Sequence, residues 1–439
     1  MSSYLVTIGV GTFLLLLPAS TVSGTISLID AIFTATSAVC VTGLIVVDTG
    51  SYFTLFGQHV ILALIQLGGL GVMTVSVTIF LMIGKKVSFK QRMAMQDLFA
   101  HTPREDINQL VKSILWFTVI TELSGILLLT FHWTKEFPLT EALYMAVFHS
   151  VSAFCNAGFS LFANSFMDYT GDVFINVVIC TLIIFGGIGF PVVYDIYKTV
   201  LRSQGKRVKL SVQTKTVLIT TGILILAGTA VFWSVEQNAS IQGHSFVGRF
   251  LTSLFQSITC RTAGFNTINI ATLGNATLAF MIFLMYVGAS PGSCGGGVKK
   301  TTPAVLGKFA WSRMRNKIRV NMFKKSIPKD TVTKSTSLVV ISMTIILSAF
   351  FLLLLSTPEN MDSGEHHSQF LSYFFEVVSA FGTVGLSMGA TTQMTCPGKF
   401  LIIIIMLIGR VGVLTFSYLI AGVELITGIE YAEENIMIG

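Results

Sequence analysis

Four times along this chain a short apolar segment runs into the same kind of tail. Ser37-Ala38-Val39-Cys40-Val41-Thr42-Gly43-Leu44 aligns with Ser152-Ala153-Phe154-Cys155-Asn156-Ala157-Gly158-Phe159 and with Ile258-Thr259-Cys260-Arg261-Thr262-Ala263-Gly264-Phe265. The fourth copy is Ser379-Ala380-Phe381-Gly382-Thr383-Val384-Gly385-Leu386. The shared glycines, Gly43, Gly158, Gly264 and Gly385, lie 115, 106 and 121 residues apart. A recurrence of this kind means one structural unit used four times, each copy needing its neighbours to bury its apolar face.

The segments before the tails, 27–38, 139–153, 245–258 and 370–380, are 11 to 15 residues long. At about 1.5 Å per residue such helices fall short of a hydrocarbon layer about 30 Å thick, so they must enter it and return. That layer is the expected solvent: the chain is 52% hydrophobic and 11% charged with a mean hydropathy of +0.76, against about 25% charged residues in a soluble domain. Eight longer apolar stretches, 3–20, 57–83, 108–131, 173–200, 216–235, 271–306, 335–356 and 399–424, flank the short ones. The expected fold is an all-α polytopic membrane protein: one pore domain over 1–439, with four pseudo-symmetric repeats at about 1–84, 105–200, 214–306 and 334–426. Each repeat is a span, a re-entrant pore helix and a second span, arranged around a central ion pore.

The net charge of +7 does not indicate nucleic acid. Connections 85–104, 198–215 and 299–334 hold 22 of the 28 lysines and arginines, which places them on the cytoplasmic side by the positive-inside bias and both termini with them. A nucleic-acid reader would instead gather its basic residues on one soluble face. Contact with anionic membrane lipid is the added expectation for these connections. Six cysteines without CxxC spacing predict small buried fillers rather than a zinc site or a disulfide scaffold.

Non-helical backbone at membrane depth survives only where protein buries it or water reaches it. Four glycine turns around one axis would supply a ring of carbonyl oxygens, and a glycine accepts the φ > 0 that aims them inward. The helix C-termini pointing there add partial negative charge, so a cation is the expected guest. This reading makes Val41, Thr42, Gly43, Asn156, Ala157, Gly158, Thr262, Ala263, Gly264, Thr383, Val384 and Gly385 the filter. Phe159, Phe265, Leu44 and Leu386 are expected to pack behind it.

A second glycine layer follows 24 to 28 residues farther on, at Gly68-Gly69, Gly186-Gly187, Gly288 and Gly409. In the third repeat it widens to Gly288-Ala289-Ser290-Pro291-Gly292-Ser293-Cys294-Gly295-Gly296-Gly297, which cannot be regular helix. It reads as a gating flap in which Gly288, Ser290, Gly292, Gly295, Gly296 and Gly297 give the flexibility. Arg410, inside a span and at the same depth, could hydrogen-bond the flap's carbonyls and repel cations. Carboxylates on the outer side, among them Asp30, Asp48, Glu136, Asp168, Asp172, Glu236, Glu359, Asp362, Glu365 and Glu376, suggest an acidic vestibule.

Two other chemistries have partial signals in the sequence. Gly288-Ala289-Ser290-Pro291-Gly292 fits G-x-S-x-G, but no strand precedes it and no base stands near it in the pattern, so a serine hydrolase is not indicated. A rocking symporter would call for intramembrane carboxylates, of which Glu122 and Glu424 are the chief examples.

With Cys40-Val41-Thr42-Gly43-Leu44, Asn156-Ala157-Gly158-Phe159, Arg261-Thr262-Ala263-Gly264-Phe265-Asn266 and Gly382-Thr383-Val384-Gly385-Leu386 in view, the chain resembles the Ktr/Trk/HKT superfamily of potassium transporters over its whole length. The resemblance implies potassium as the transported ion, one selectivity glycine per repeat, and an intramembrane gating loop at 288–297 faced by Arg410. It implies a homodimer in a bacterial plasma membrane, resting on a cytosolic ring of KtrA-type RCK subunits that bind nucleotide. Sodium enters as an activator, or, in the alternative reading, as the coupled ion of a sodium–potassium symporter. Lys299, Lys300, Arg313, Arg315, Lys317 and Arg319 are candidates for ring contact or for topology alone.

Overall fold

The computed structural model describes residues 2–71, 107–200, 209–243, 245–356, 363–413 and 416. Connection 85–104, parts of spans 57–83 and 399–424, and Glu359, Asp362 and Glu424 lie outside the described residues.

The described chain is built of helices that recur in related groups of three or four. The first repeat holds α1 (Ser2–Leu16), α2 (Leu28–Cys40) and α3 (Leu55–Leu70). The second holds α4 (Ile107–Trp133), α5 (Leu139–Cys155), α6 (Val173–Gly187) and α7 (Phe190–Val200). In the third are α8 (Val212–Glu236), α9 (Phe246–Thr259), α10 (Asn275–Tyr286) and α11 (Thr301–Met314). The fourth has α12 (Lys329–Leu355), α13 (Ser363–Gly382) and α14 (Cys396–Val411).

Local sequence sets the helix starts. Ser27, Thr54, Asp172, Ser211, Ser245 and Thr395 each stand just before an apolar run and accept a hydrogen bond from a first-turn amide, which satisfies a donor that has no partner within the helix. Outward faces carry large apolar side chains, such as Leu127 at 71% exposure and Leu226 at 73%. A belt of this kind requires a solvent of hydrocarbon rather than water.

The second span of each repeat differs from expectation. None of α3, α6, α10 or α14 runs on as one unbroken span: α3, α6 and α14 end at or just past the glycine layer, at Leu70, Gly187 and Val411, and α10 ends before it, at Tyr286. In three repeats the break falls at a glycine three residues past the layer, Gly71 (φ +83°), Gly189 (φ +95°) and Gly412 (φ +95°). An apolar run says that a segment is in lipid; it does not say that its helix is unbroken. Stretch 173–200 is thus two helices bent by 91°, and 271–306 is α10, a non-helical loop and the start of α11. Pore helix α13 begins earlier than expected, at Ser363. The basic connection 299–334 contains α11 and a small hairpin pairing Asn321–Met322 with Lys325–Ser326. Phe323 and Lys324 at its turn both have positive φ, as the twist of a two-residue hairpin turn demands.

Candidate functional site

The four pore helices converge by their C-termini, and three end identically. After Cys40, Cys155 and Gly382 the chain turns left-handed at Val41 (φ 56°), Asn156 (φ 59°) and Thr383 (φ 50°). The next amides, of Thr42, Ala157 and Val384, return 2.8 Å bonds to Ser37, Ser152 and Ser379 carbonyls. The third helix ends instead in a right-handed Cys260, and the left-handed residue is Thr262 (φ 79°). Val41, Thr262 and Thr383 are β-branched, the residue class least suited to φ > 0. Backbone held in that region by the surrounding structure is a mark of a functional site.

Two residues later come Gly43 (φ 89°), Gly158 (φ 70°), Gly264 (φ 82°) and Gly385 (φ 91°). They stand in a closed ring. A Cβ built on Gly43 would run into Ala157 O, on Gly158 into Ala263 O, on Gly264 into Val384 O, and on Gly385 into Thr42 O, each within the 3.0 Å that real Cβ atoms essentially never breach. The order 1-2-3-4-1 sets each glycine turn against the next repeat's turn, closing the ring. Leu44, Phe159, Phe265 and Leu386 are buried behind the ring. Glycine is therefore required twice over, by backbone angle and by the neighbour's carbonyl.

The inner face of the ring, on the side of the residues before the glycines, is covered by loop 287–300. Gly296 N donates to Thr383 Oγ1 at 2.8 Å, and a Cβ on Gly295 would strike Thr262 Oγ1. Gly297 N donates to Gly409 O at 3.2 Å; Ser290 N and Cys294 N donate to Gly187 O and Gly186 O at 3.3 and 3.2 Å. Phe190 N donates to Gly292 O at 2.8 Å, and Gly288 lies against Gly296 and Gly297 of its own loop. Arg410 donates from one guanidinium nitrogen to Cys294 O and from another to Gly68 O, tying the loop to the first and fourth repeats.

Several residues stand elsewhere than the sequence suggested. Lys299 and Lys300 do not reach an outer surface: Lys299 Nζ donates to Gly295 O at 2.8 Å, and Lys300 is buried with Nζ 3.4 Å from Thr221 Oγ1. Arg313 and Arg315 lie over Phe309 and Trp311. The acidic vestibule is largely spent on local partners. Asp30 pairs with Lys399 at 2.7 Å, and Asp172 with His132 at 2.9 Å. Glu136 accepts from Tyr169 at 2.9 Å, and burial together with that carboxylate pushes the Tyr169 phenol up. Glu236 accepts from Thr277 and Ser240, and Glu376 is fully buried. Polar loop partners decide this, and a linear sequence does not reveal them. Five cysteines are buried and Cys396 is exposed. Among the described residues Ser290 Oγ has no hydrogen-bond partner, and Gly288-Ala289-Ser290-Pro291-Gly292 lies in non-helical loop. Sequence reasoning missed the pairing of Asn156 with Thr262, whose side chains meet at 3.1 Å between adjacent filter loops; their shared place in the repeat was the available signal.

Comparison with known proteins agrees with this architecture. Residues 2–424 match the family described as TrkH, cation transport protein. Ktr system potassium uptake protein B of Vibrio alginolyticus is 40% identical over 428 residues, 97% of this chain and 91% of that protein. The protein of the same name from Bacillus subtilis (strain 168) is 39% identical across 99% of this chain and 95% of its own. Potassium/sodium uptake protein NtpJ of Enterococcus hirae is 35% identical across 98% and 94%. The crystal structure of the potassium transporter TrkH from Vibrio parahaemolyticus superposes with a TM-score of 0.71 at 20% identity, covering 96% of this chain and 83% of that one, which is a likeness of fold.

Proposed function

Because the chain belongs to the TrkH family of cation transport proteins, we propose that it is the membrane subunit of a potassium uptake system, a transporter and not an enzyme. The observation that carries this reading is the closed ring, in which each filter glycine's missing Cβ leaves room for the next repeat's carbonyl. Carbonyls from Val41 to Gly43 and their counterparts replace the water shell of a dehydrated cation. Their radius is set by backbone that cannot relax without collision, which favours potassium over the smaller sodium ion.

Loop 288–297 is the gate of this pore. In the closed form it lies against Thr262 and Thr383 and blocks the ion's exit. Arg410 holds it there and adds a positive charge beneath the filter. Opening requires the guanidinium to leave Cys294 O, and charge-assisted hydrogen bonds are worth about 1.5–3 kcal/mol each. A trigger must supply that energy. The described residues of the longest basic connection hold a helix, a hairpin and the start of α12, well short of a nucleotide-binding domain, so a cytosolic KtrA-type RCK ring supplies it. The remaining features of the proposal are a homodimer, a plasma-membrane location with cytoplasmic termini, and sodium as activator. One relative is named a potassium/sodium uptake protein, and sodium-coupled symport is the rival account of that ion.

Expression in a bacterium lacking potassium uptake tests the reading. Growth in limiting potassium is expected, and faster growth with the ring subunit present. Failure to grow with the chain in the membrane would refute it, and a fixed sodium-to-potassium stoichiometry would decide for the symporter.

A further inference from the structure

Nine residues before Gly158 and before Gly385 stand His149 and Glu376, both fully buried on the pore helices. His149 Nδ1 lies 2.8 Å from Met145 O. A carbonyl can only accept, so Nδ1 bears the proton and Nε2 is an acceptor. Nε2 receives the Ser160 hydroxyl at 3.0 Å and the Leu161 amide at 3.3 Å. Glu376 Oε1 receives the Ser387 hydroxyl at 2.5 Å and the Met388 amide at 3.1 Å. Glu376 Oε2 receives Thr391 Oγ1 at 2.7 Å.

The two arrangements match position for position. In each, the acceptor takes the hydroxyl two residues past the filter glycine and the amide three past it. In each, the serine Oγ also accepts from the amide two residues on, Phe162 at 3.0 Å and Gly389 at 2.9 Å. An imidazole and a carboxylate thus do one job.

The other two repeats do not do it. In the first, Thr34 occupies the position, its Oγ1 is buried without a partner among the described residues, and Ile45 stands where the serine would be. In the third, Phe255 stands nine residues before Gly264; Gln256 beside it reaches Thr267 Oγ1 only at 3.4 Å, and among the described residues its Oε1 has no partner. Since the ring runs 1-2-3-4, the two tied repeats face each other across the axis.

We infer that His149 and Glu376 are positioning residues that pin the outer rims of the second and fourth filter loops, so that one diagonal of the ring fixes its width and the other does not. Neither touches the ion; each acts through the loop it holds. A carbonyl ring admits sodium when it can contract around it, and a rim anchored behind the filter resists that contraction. The inference rests on the filter reading above.

The test is the ratio of rubidium to sodium uptake in proteoliposomes, normalised to inserted protein. H149A, E376A, S160A and S387A are each expected to lower the ratio at least threefold, and S160A/S387A more than either single variant. H149Q should hold the ratio, because a glutamine oxygen is an acceptor at nearly the same place. T34V should not change it. The serine variants remove one hydroxyl each and keep the test alive if a pore-helix variant fails to insert. Unchanged ratios in the serine and pore-helix variants, including a result in which only thermal stability falls, would overturn the inference. Gly264→Ser run alongside separates the two claims: if it shifts the ratio and the ties do not, only the ties are refuted, whereas if it shifts nothing the filter reading falls first.

Discussion

The ring of glycine turns and the glycine layer beside it are both fourfold in sequence, but only the ring is fourfold in structure. In the ring every repeat gives its neighbour the same thing, a carbonyl in the space of an absent side chain. In the layer, Gly68, Gly186 and Gly409 pack alike on Val39 O, Phe154 O and Phe381 O, the carbonyls two residues before the left-handed turn of their own repeats. Gly288 packs on Gly296 and Gly297 of its own loop instead. An ion on the axis meets all four repeats at once, so the ring tolerates little asymmetry. A gate needs a single moving part, and one repeat can supply it without disturbing the others.

The largest effect is expected where the comparison is strictest. Gly264→Ser puts a side chain on a residue at φ +82° and against Val384 O, where a Cβ is disfavoured by roughly 1–2 kcal/mol before the collision is counted. Potassium-over-sodium preference should fall about tenfold or more on that scale, read as paired rubidium and sodium uptake. A normal ratio would mean the four turns are not equivalent.

Arg410→Ala addresses the asymmetric layer. It removes the bond from the fourth repeat to Cys294 O, and with about 1.5 kcal/mol lost from the closed form, ion flux should rise by roughly tenfold. Flux at or below the parent level in well-inserted protein would remove the gate. Lys299→Met should raise flux less, about two- to threefold, because its bond to Gly295 O lies within the loop itself and ties it to no other repeat, so most of it persists when the loop moves. A larger effect from Lys299 than from Arg410 would reverse the assignment of the main latch.

Much of this was legible before any coordinates. The recurrent glycines, the short segments before them and the ten-residue flap of the third repeat all carry their meaning in residue type and spacing. What was not legible had a common cause. The breaks at Gly71, Gly189 and Gly412 sit inside apolar runs, and hydropathy is blind to helix direction. Glu376 counted as a vestibule charge because it precedes a loop, yet that loop folds back and buries it. Lys299 belonged by pattern to a basic connection, though its ammonium group turns inward to the loop. His149 and Glu376 share no chemistry that an alignment of residue types would pair.

The sequence by itself determined that this chain lives in lipid, that it is one unit repeated four times, and that each unit carries a turn only glycine can make, because these follow from transfer energy and local backbone sterics. Tertiary structure alone decided which carbonyl fills which glycine's vacant side-chain space, where the second helices break, and which buried groups hold the rims. The ring contacts join segments about a hundred residues or more apart, and the rim ties join residues 11 to 15 apart across a non-helical turn, so their energies exist only once the chain has folded back on itself.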